Sequence, residues 1–188
     1  VIMNRKIFYS KILLFGEYGI ISNSDALSIP FKKFEGSLKI SKSLLKDEIL
    51  SNKKLDELYT YINKSHSFSN ILDLKSLKKD IDSGLYFKSN IPISSGLGSS
   101  GALVSSILIN YANTDLRKKD SNEMKKIMSI MESKFHLKSS GFDPLVSFFN
   151  KPILMSNGNV KLIEDIKFRD FKIYLVDSKI PSSTSDMI

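Results

Sequence analysis

The sequence contains no cysteine and no tryptophan, and it has only 2 histidines. Without cysteine, the chain can form neither a disulfide framework nor a cysteine-ligated zinc site. His66 and His136 are not arranged in a metal-ligand spacing, so we predict no zinc site of any kind. A chain without disulfides suits a reducing compartment, and we expect a cytoplasmic protein.

Long apolar runs are also missing. Wholly apolar stretches such as Ile12–Phe15 are far shorter than the roughly 20 residues that span a bilayer. No charged-then-apolar leader opens the printed sequence, and we therefore predict no membrane partner. A content of 41% hydrophobic and 26% charged residues is typical of a soluble globular protein.

The formal net charge is +8, which raises the question of a nucleic-acid partner. The lysines occur as scattered pairs, such as Lys53–Lys54 and Lys118–Lys119, and form no long basic block. Basic and aromatic residues do not interleave on any obvious face. We therefore expect a solvated, lysine-rich surface and do not expect nucleic acid as a partner.

Hydrophobic periodicity predicts a mixture of strands and helices. The predicted strands are 6–15, 26–31, 34–41, 84–91, 152–156, 160–163 and 171–177. Helices are predicted at 53–64, after Asp73, from Ser99 and after Asp120, with a further helix start at 181–186 and a turn at Gly16–Gly19. Because strands and helices do not alternate regularly, the pattern favours an α+β fold.

A glycine- and serine-rich loop is the most informative stretch. It comprises Pro92, Ile93, Ser94, Ser95, Gly96, Leu97, Gly98, Ser99 and Ser100. Glycines let backbone N–H groups approach an anion, and the start of the following helix adds its positive end. The stretch lacks the Gly-Lys-Ser/Thr ending of a Walker A loop. It does satisfy G-x-G-x-x-G, but Asp120 precedes a helical pattern and does not end a second strand. Phosphate binding therefore competes with a plain strand-to-helix turn capped by serine.

The segment Pro92–Ala102 (PISSGLGSSGA) resembles the ATP-phosphate loop of the GHMP kinases, P-x-x-x-G-L-G-S-S-A-A. Gly101 replaces the usual first alanine, and we expect so small a residue not to obstruct the loop. The resemblance implies that residues Pro92 to Ser100 bind ATP.

The segment Lys11–Tyr18 resembles the K-x-x-L-x-G-E-H motif of the mevalonate-kinase branch, with Tyr18 in place of the histidine. By this resemblance Lys11 is catalytic and stabilises developing charge beside the acceptor hydroxyl. Glu17 and Tyr18 would contact the substrate. Judged by its residue type alone, Lys11 is better explained as an edge-strand lysine that discourages aggregation.

The segment His136–Asp143 resembles H-G-x-x-S-G-x-D of mevalonate kinases, although Leu137 replaces the glycine. Asp143 would be the catalytic base, and Ser140 and Gly141 would contact the substrate. Because Pro144 follows, Asp143 also fits a helix N-cap with proline at the first helical position. We predict only a structural role for His136.

Glu132 lies eleven residues before Asp143, which is the spacing of the glutamate that helps to hold Mg²⁺ in mevalonate kinases. Ser100 matches its serine partner. Magnesium prefers oxygen ligands and binds through one or two protein groups plus phosphates. Without the resemblance, Glu132 would read as an exposed helix residue.

Together the resemblances imply a ribosomal-protein-S5-domain-2-like ATP-binding lobe over 1–167, and a ferredoxin-like lobe that begins near Phe168 and is largely absent. They imply a kinase that uses ATP and Mg²⁺ to phosphorylate a small alcohol, with mevalonate, and hence isoprenoid biosynthesis, as the favoured case. The alternatives are an impaired nucleotide-binding remnant, another GHMP enzyme such as phosphomevalonate kinase, and a basic nucleic-acid-binding domain.

Overall fold

Five strands form one antiparallel sheet around a long second strand. The computed structural model describes residues 6–16, 25–136, 139–164, 166 and 174–176. The strands are β1 (Phe8–Phe15), β2 (Ala26–Ile40), β3 (Leu85–Ser89), β4 (Ile153–Ser156) and β5 (Asn159–Leu162). One edge of β2 pairs with β1, and its other edge pairs with β3 near the C-terminal end and with β4 near the N-terminal end. β5 pairs with β4.

Within the described residues, six α-helices accompany the sheet. They are α1 (Lys46–Asn63), α2 (His66–Ser69), α3 (Leu74–Asp82), α4 (Ser99–Tyr111), α5 (Ser121–Glu132) and α6 (Phe142–Phe149). A short 3₁₀ turn at Leu116–Lys118 precedes α5. Helices together with a wholly antiparallel sheet confirm the predicted α+β class. Among the residues described, no helix is both long enough and apolar enough to cross a bilayer.

Two element boundaries differ from the predictions. β2 is a single strand over Ala26–Ile40, where the sequence pattern gave two strands separated at 32–33. The two lysines at that break are exposed but remain in extended backbone, because β1 pairs with both halves of the strand. α1 begins at Lys46, seven residues before the predicted start. Its first turn has no buried apolar stripe and is stabilised by Glu48, whose carboxylate accepts the backbone N–H of Leu45 at 2.9 Å.

Side-chain caps fix two helix starts where the sequence placed them. Asp73 accepts the backbone N–H of Ser76 at 3.0 Å and begins α3. Asp120 accepts the N–H groups of Asn122 and Glu123 at the start of α5. Glu123 does not complete a capping box by accepting the backbone N–H of Asp120, because its carboxylate pairs with Lys119.

The core lies where α4 and α6 pack on each other and on β1 and β2, while α1 packs on β3. Its largest fully buried side chains include Phe8, Phe68, Phe142, Leu55, Ile107 and Met124. This packing fixes the starts of α4 and α6 relative to β1, which matters for the site.

Some predictions fall outside the described residues. These are the turn after Gly16, most of the strand at 171–177, the helix start at 181–186 and the domain boundary near Phe168. Within 171–177, residues 174–176 are described and have no strand assignment.

Candidate active site

The glycine- and serine-rich loop connects β3 to α4 and has an unusual backbone. Every second residue in its centre has a positive φ: Ser94 at 55°, Gly96 at 70° and Gly98 at 76°. Alternation of this kind turns successive N–H groups toward one side, which is the geometry of an anion-binding nest. Residues 92–96 are exposed, whereas Leu97 is buried and anchors the loop in the core. The loop is therefore both accessible and fixed at one end.

The start of α4 is capped by a glycine. Gly98 is the N-cap residue and has no side chain that could accept the N–H groups of the first turn. The helix has 13 residues, so its positive end and these N–H groups favour an anion in front of the loop.

Lys11 reaches this helix start from β1. Its backbone N–H donates to the carbonyl of Leu97 at 3.0 Å, which ties the strand to the loop. A Cβ atom on Gly98 would lie 2.8 Å from Cγ of Lys11, so only glycine lets the lysine side chain pass this close. The lysine side chain is only 6% exposed. Its burial against the glycine- and serine-rich loop distinguishes it from an edge-strand lysine that points into solvent.

Asp143 is the partner of this buried lysine. Nζ of Lys11 lies 2.8 Å from Oδ2 of Asp143, and the aspartate side chain is 33% exposed. A buried ammonium group needs such a partner, because an isolated charge would lose its hydration without compensation. The aspartate is open enough for its carboxylate to face both the lysine and a ligand.

The prediction that Asp143 is a helix N-cap is wrong. Gly141, with φ 73°, is the N-cap of α6, and Asp143 is the second residue of the helix. The carboxylate is therefore not used in capping and lies near the positive end of α6. Gly101 allows α4 to pack closely against the start of α6, because a Cβ atom on this residue would lie 2.9 Å from the backbone N of Pro144. Ser105 adds a buried hydrogen bond to the carbonyl of Pro144 at 2.7 Å.

Glu132 completes the cluster from the last residue of α5, with only 4% of its surface exposed. Its Oε1 accepts the hydroxyl of Ser100 at 2.9 Å, and its Oε2 accepts the hydroxyl of Ser139 at 2.5 Å. Burial, and next the negative charge of Asp143, raise the pKa of Glu132 to about 7, although the two hydroxyls and Lys11 act in the opposite direction. A carboxylate so perturbed in a cluster of charges is typical of a functional site.

Comparison with known proteins agrees with this geometry. The profile of the GHMP kinases N terminal domain matches residues 60–151. Residues 60–151 are therefore similar to a GHMP kinase N-terminal domain. The matched range contains the loop, Glu132 and Asp143, while Lys11 precedes it. No curated protein matches the sequence.

Three solved mevalonate kinases share the fold of this chain. The L. major enzyme in complex with R-mevalonate has a TM-score of 0.53 and 18% identity, over 86% of this chain and 52% of that one. The Methanococcus jannaschii enzyme has a TM-score of 0.52 and 19% identity, over 86% of this chain and 56% of that one. The enzyme from methicillin-resistant Staphylococcus aureus has a TM-score of 0.50 and 19% identity, over 87% of this chain and 56% of that one. The chain thus spans about half the length of these kinases, and the expected lobe fold is confirmed.

The remaining predicted site residues divide into three groups. Ser95 donates to the carbonyl of Pro92 at 2.8 Å and so braces the loop. Ser140 accepts the N–H of Phe142 at 3.3 Å at the start of α6, beside Gly141. Glu17 and Tyr18 lie outside the described residues.

The sequence reasoning assigned no function to Ser139 and only a structural role to His136, yet both reach the Glu132 cluster. Nε2 of His136 lies 3.1 Å from Oγ of Ser100. His136 lies four residues beyond the end of α5 at Glu132, so no helix-face spacing predicts its contact with Ser100. Ser139 gives no local signal either, because its contact with Glu132 depends on tertiary structure.

The oxygen donors of the Glu132 cluster suit a hard cation. Ser100 and Glu132 bring a hydroxyl and a carboxylate together, and Asp143 adds a second carboxylate near them. No group of three or more His, Cys, Asp or Glu residues that could hold a metal occurs within the part of the chain that the structure describes. Magnesium in phosphoryl-transfer sites needs only one or two protein ligands, because phosphates and water complete its shell. The residues present therefore fit Mg²⁺ bound together with a nucleotide.

Proposed function

We propose that this chain forms the ATP-binding part of a small-molecule kinase that transfers the γ-phosphoryl group of ATP to a hydroxyl. The observation that carries the proposal is the Lys11–Asp143 ion pair, 2.8 Å long and seated against the glycine-capped start of α4. It combines a base, a cation and an anion-binding helix end in one place, which is the equipment that phosphoryl transfer requires.

The nucleotide would bind through the loop. N–H groups from Gly96 to Ser100 are available where the backbone alternates in handedness and where α4 begins. Such groups bind phosphate oxygens without moving, so the polyphosphate is held and oriented before reaction. Leu97 and the backbone bond from Lys11 keep the loop in this shape.

Asp143 would accept the proton of the acceptor hydroxyl. The hydroxyl oxygen attacks the γ-phosphorus, the bond between that phosphorus and the ADP oxygen breaks, and the proton passes to the Asp143 carboxylate. Lys11 holds that carboxylate at Oδ2 and presents positive charge where negative charge develops. Because Lys11 is buried, its charge is screened less than it would be at the surface.

Ser100 and Glu132 would hold Mg²⁺. The ion, when bound, neutralises charge on the transferring phosphates. The chain contributes a carboxylate whose two oxygens are already oriented by hydroxyl groups. This orientation explains why an acidic residue is retained at a buried helix C-terminus, where both burial and the helix dipole oppose its charge.

Mevalonate is the acceptor that we favour, because the similar L. major kinase is described with R-mevalonate bound. A mevalonate acceptor would place the protein in isoprenoid biosynthesis. Another GHMP acceptor, such as phosphomevalonate, remains an alternative within the same site. The cysteine-free sequence agrees with a cytoplasmic location.

The test has two steps with the 188-residue chain. Isothermal titration measures ATP affinity in Mg²⁺, and a coupled assay then measures ADP release with and without mevalonate. We expect ATP to bind and mevalonate to increase ADP release, at a rate below that of a kinase of about twice this length. Binding without mevalonate-dependent release would favour a nucleotide-binding remnant. Absence of ATP binding, together with salt-dependent RNA binding, would contradict the kinase proposal.

A further inference from the structure

Glu132 is held at both oxygens by different parts of the chain. Oε1 accepts from Ser100 on the first turn of α4 at 2.9 Å, and Oε2 accepts from Ser139 in the α5–α6 connection at 2.5 Å. A glutamate side chain can rotate about several bonds, and a single hydrogen bond leaves its carboxylate plane free to turn. Two bonds to two oxygens, from two separate elements, fix that plane.

Each of these hydroxyls is itself held by a second donor. A serine hydroxyl has one hydrogen, and both serines use theirs on Glu132. The contact of 3.1 Å between Ser100 and His136 therefore makes Nε2 of the histidine the donor. The oxygen of Ser139 accepts the backbone N–H of Gly141 at 3.0 Å. These directions apply to the ionised carboxylate of Glu132, which is the form that binds a cation.

We propose that Ser139 is a positioning residue whose hydroxyl sets the orientation in which Glu132 binds the magnesium ion of a magnesium nucleotide. The inference rests on the proposed function. Ser139 differs from Ser100 because it lies outside the glycine- and serine-rich loop. Of the two carboxylate oxygens of Glu132, Ser139 donates to Oε2, whereas Ser100 donates to Oε1. It acts on the metal through Glu132, as partners of metal ligands commonly do.

The backbone at Ser139 is held independently of its hydroxyl. Its carbonyl accepts the hydroxyl of Ser129 on α5 at 2.5 Å. Gly141, two residues later, passes so close to α5 that a Cβ atom would lie 2.1 Å from the carbonyl oxygen of Lys125. Replacing Ser139 by alanine should therefore remove the bond to Glu132 and leave the path of the connection intact.

The chain offers a matched control and a rescue variant. Ser133→Ala removes the hydroxyl of the residue that directly follows Glu132, and this hydroxyl donates to the carbonyl of Ser129 at 2.7 Å and not to the Glu132 carboxylate. Ser139→Thr keeps the hydroxyl and should restore the wild-type behaviour. Ser139→Cys keeps the volume of the side chain with a weaker donor, and it provides a second test if the alanine variant does not fold.

The experiment measures ATP affinity of the 188-residue chain by isothermal titration, once with excess Mg²⁺ and once in EDTA. The ratio of the two affinities reports how much the metal contributes. We expect Ser139→Ala to lower this ratio by about 10-fold or more, the usual effect of losing a partner of a metal ligand. Ser139→Cys should lower it by less, while Ser139→Thr and Ser133→Ala should match wild type. Affinity in EDTA should stay the same in every variant.

Three results would overturn the inference. Equal ratios in wild type and Ser139→Ala would make Ser139 structural only, and the proposed kinase function would stand. Equal losses with Mg²⁺ and in EDTA would show damage to the nucleotide site as a whole. Failure of the wild-type chain to bind ATP would contradict the proposed function, and this inference with it.

Discussion

The two ends of α4 contain polar groups that serve different purposes. At the C-terminal end, the buried Tyr111 donates its hydroxyl to Asp80 at 2.8 Å, and its carbonyl accepts the N–H of Asp73 at 2.7 Å. Burial and the neighbouring Asp80 carboxylate raise the pKa of Tyr111, which keeps the phenol neutral. Each group at this end is paired, and the bonds join α4 to α3.

At the N-terminal end the groups oppose one another. Glu132 is buried next to Asp143, and the repulsion between the carboxylates adds to the cost of burial. Lys11 offsets part of this cost through its bond to Asp143. An arrangement that costs stability persists only where another requirement selects it. The contrast agrees with the proposed function, in which the C-terminal end of α4 supports the fold and the N-terminal end supports chemistry.

The largest effect should follow Asp143→Asn. An amide cannot accept the hydroxyl proton, so mevalonate-dependent ADP release should fall by about 10²- to 10⁴-fold while ATP affinity changes little. Asp80→Asn at the other end of α4 is the control and should leave turnover unchanged. Equal turnover in wild type and Asp143→Asn would remove Asp143 from the mechanism.

Glu132→Gln should change how stability depends on pH. Folding raises the pKa of Glu132 from 4.5 to about 7, so the folded chain holds the proton more tightly between these values. The contribution of Glu132 to stability is therefore most favourable below pH 4.5 and is lost as pH rises to about 7. The loss is on the order of 3 kcal/mol at 1.36 kcal/mol per pKa unit.

Denaturant unfolding between pH 4.5 and 8 measures this effect. Glu132→Gln should be more stable than wild type at pH 8, and the difference should shrink toward pH 4.5. Subtracting the two curves cancels the titration of groups that do not interact with Glu132, and it leaves the titration of Glu132 together with its coupling to Asp143. Curves that run parallel across this range would contradict the assigned burial cost.

Gly101→Ala should push α6 away from α4. The added methyl would meet the backbone of Asp143 and Pro144, and backbone atoms cannot rotate aside. We expect a loss of about 1–3 kcal/mol in unfolding free energy, as for other overpacked interfaces. Ser99→Ala, on the same helix turn, adds no atom and should stay within about 0.5 kcal/mol of wild type. Equal unfolding free energies for Gly101→Ala and Ser99→Ala would show that α4 and α6 are not closely packed at Gly101.

The smallest effect should come from the C-terminal end. Tyr111→Phe removes the hydrogen bond to Asp80 and should lower the unfolding free energy by about 1 kcal/mol. ATP affinity should not change, because the residue lies at the far end of a 13-residue helix from the loop. A loss of ATP affinity in this variant would contradict the assignment of separate roles to the two ends of α4.

Local chemistry made much of the fold predictable. Asp73 and Asp120 cap helices where the sequence placed them, because a cap depends only on neighbours in the chain. The continuous β2 and the early start of α1 were missed for the opposite reason. Pairing with β1 overrides the polar Lys32–Lys33 break, and the first turn of α1 is exposed and carries no apolar stripe.

The candidate site was predictable only in part. The resemblance singled out Lys11, Glu132 and Asp143, and the structure brings these three side chains together. The alternative of Asp143 as an N-cap failed because Gly141, two residues earlier, ends the connection in a left-handed conformation. The role of Ser139 depends on a contact between the α5–α6 connection and the end of α5, which no local pattern reports.

Amide chemical shifts during an ATP titration test the central claim most directly. If the nucleotide binds at the glycine-capped start of α4, the N–H signals of residues 96–100 should move together and saturate. Signals of residues 111–113 at the other end of the helix should stay in place. Shifts spread over surface lysines, or concentrated at residues 111–113, would contradict the assignment of the nucleotide to this loop.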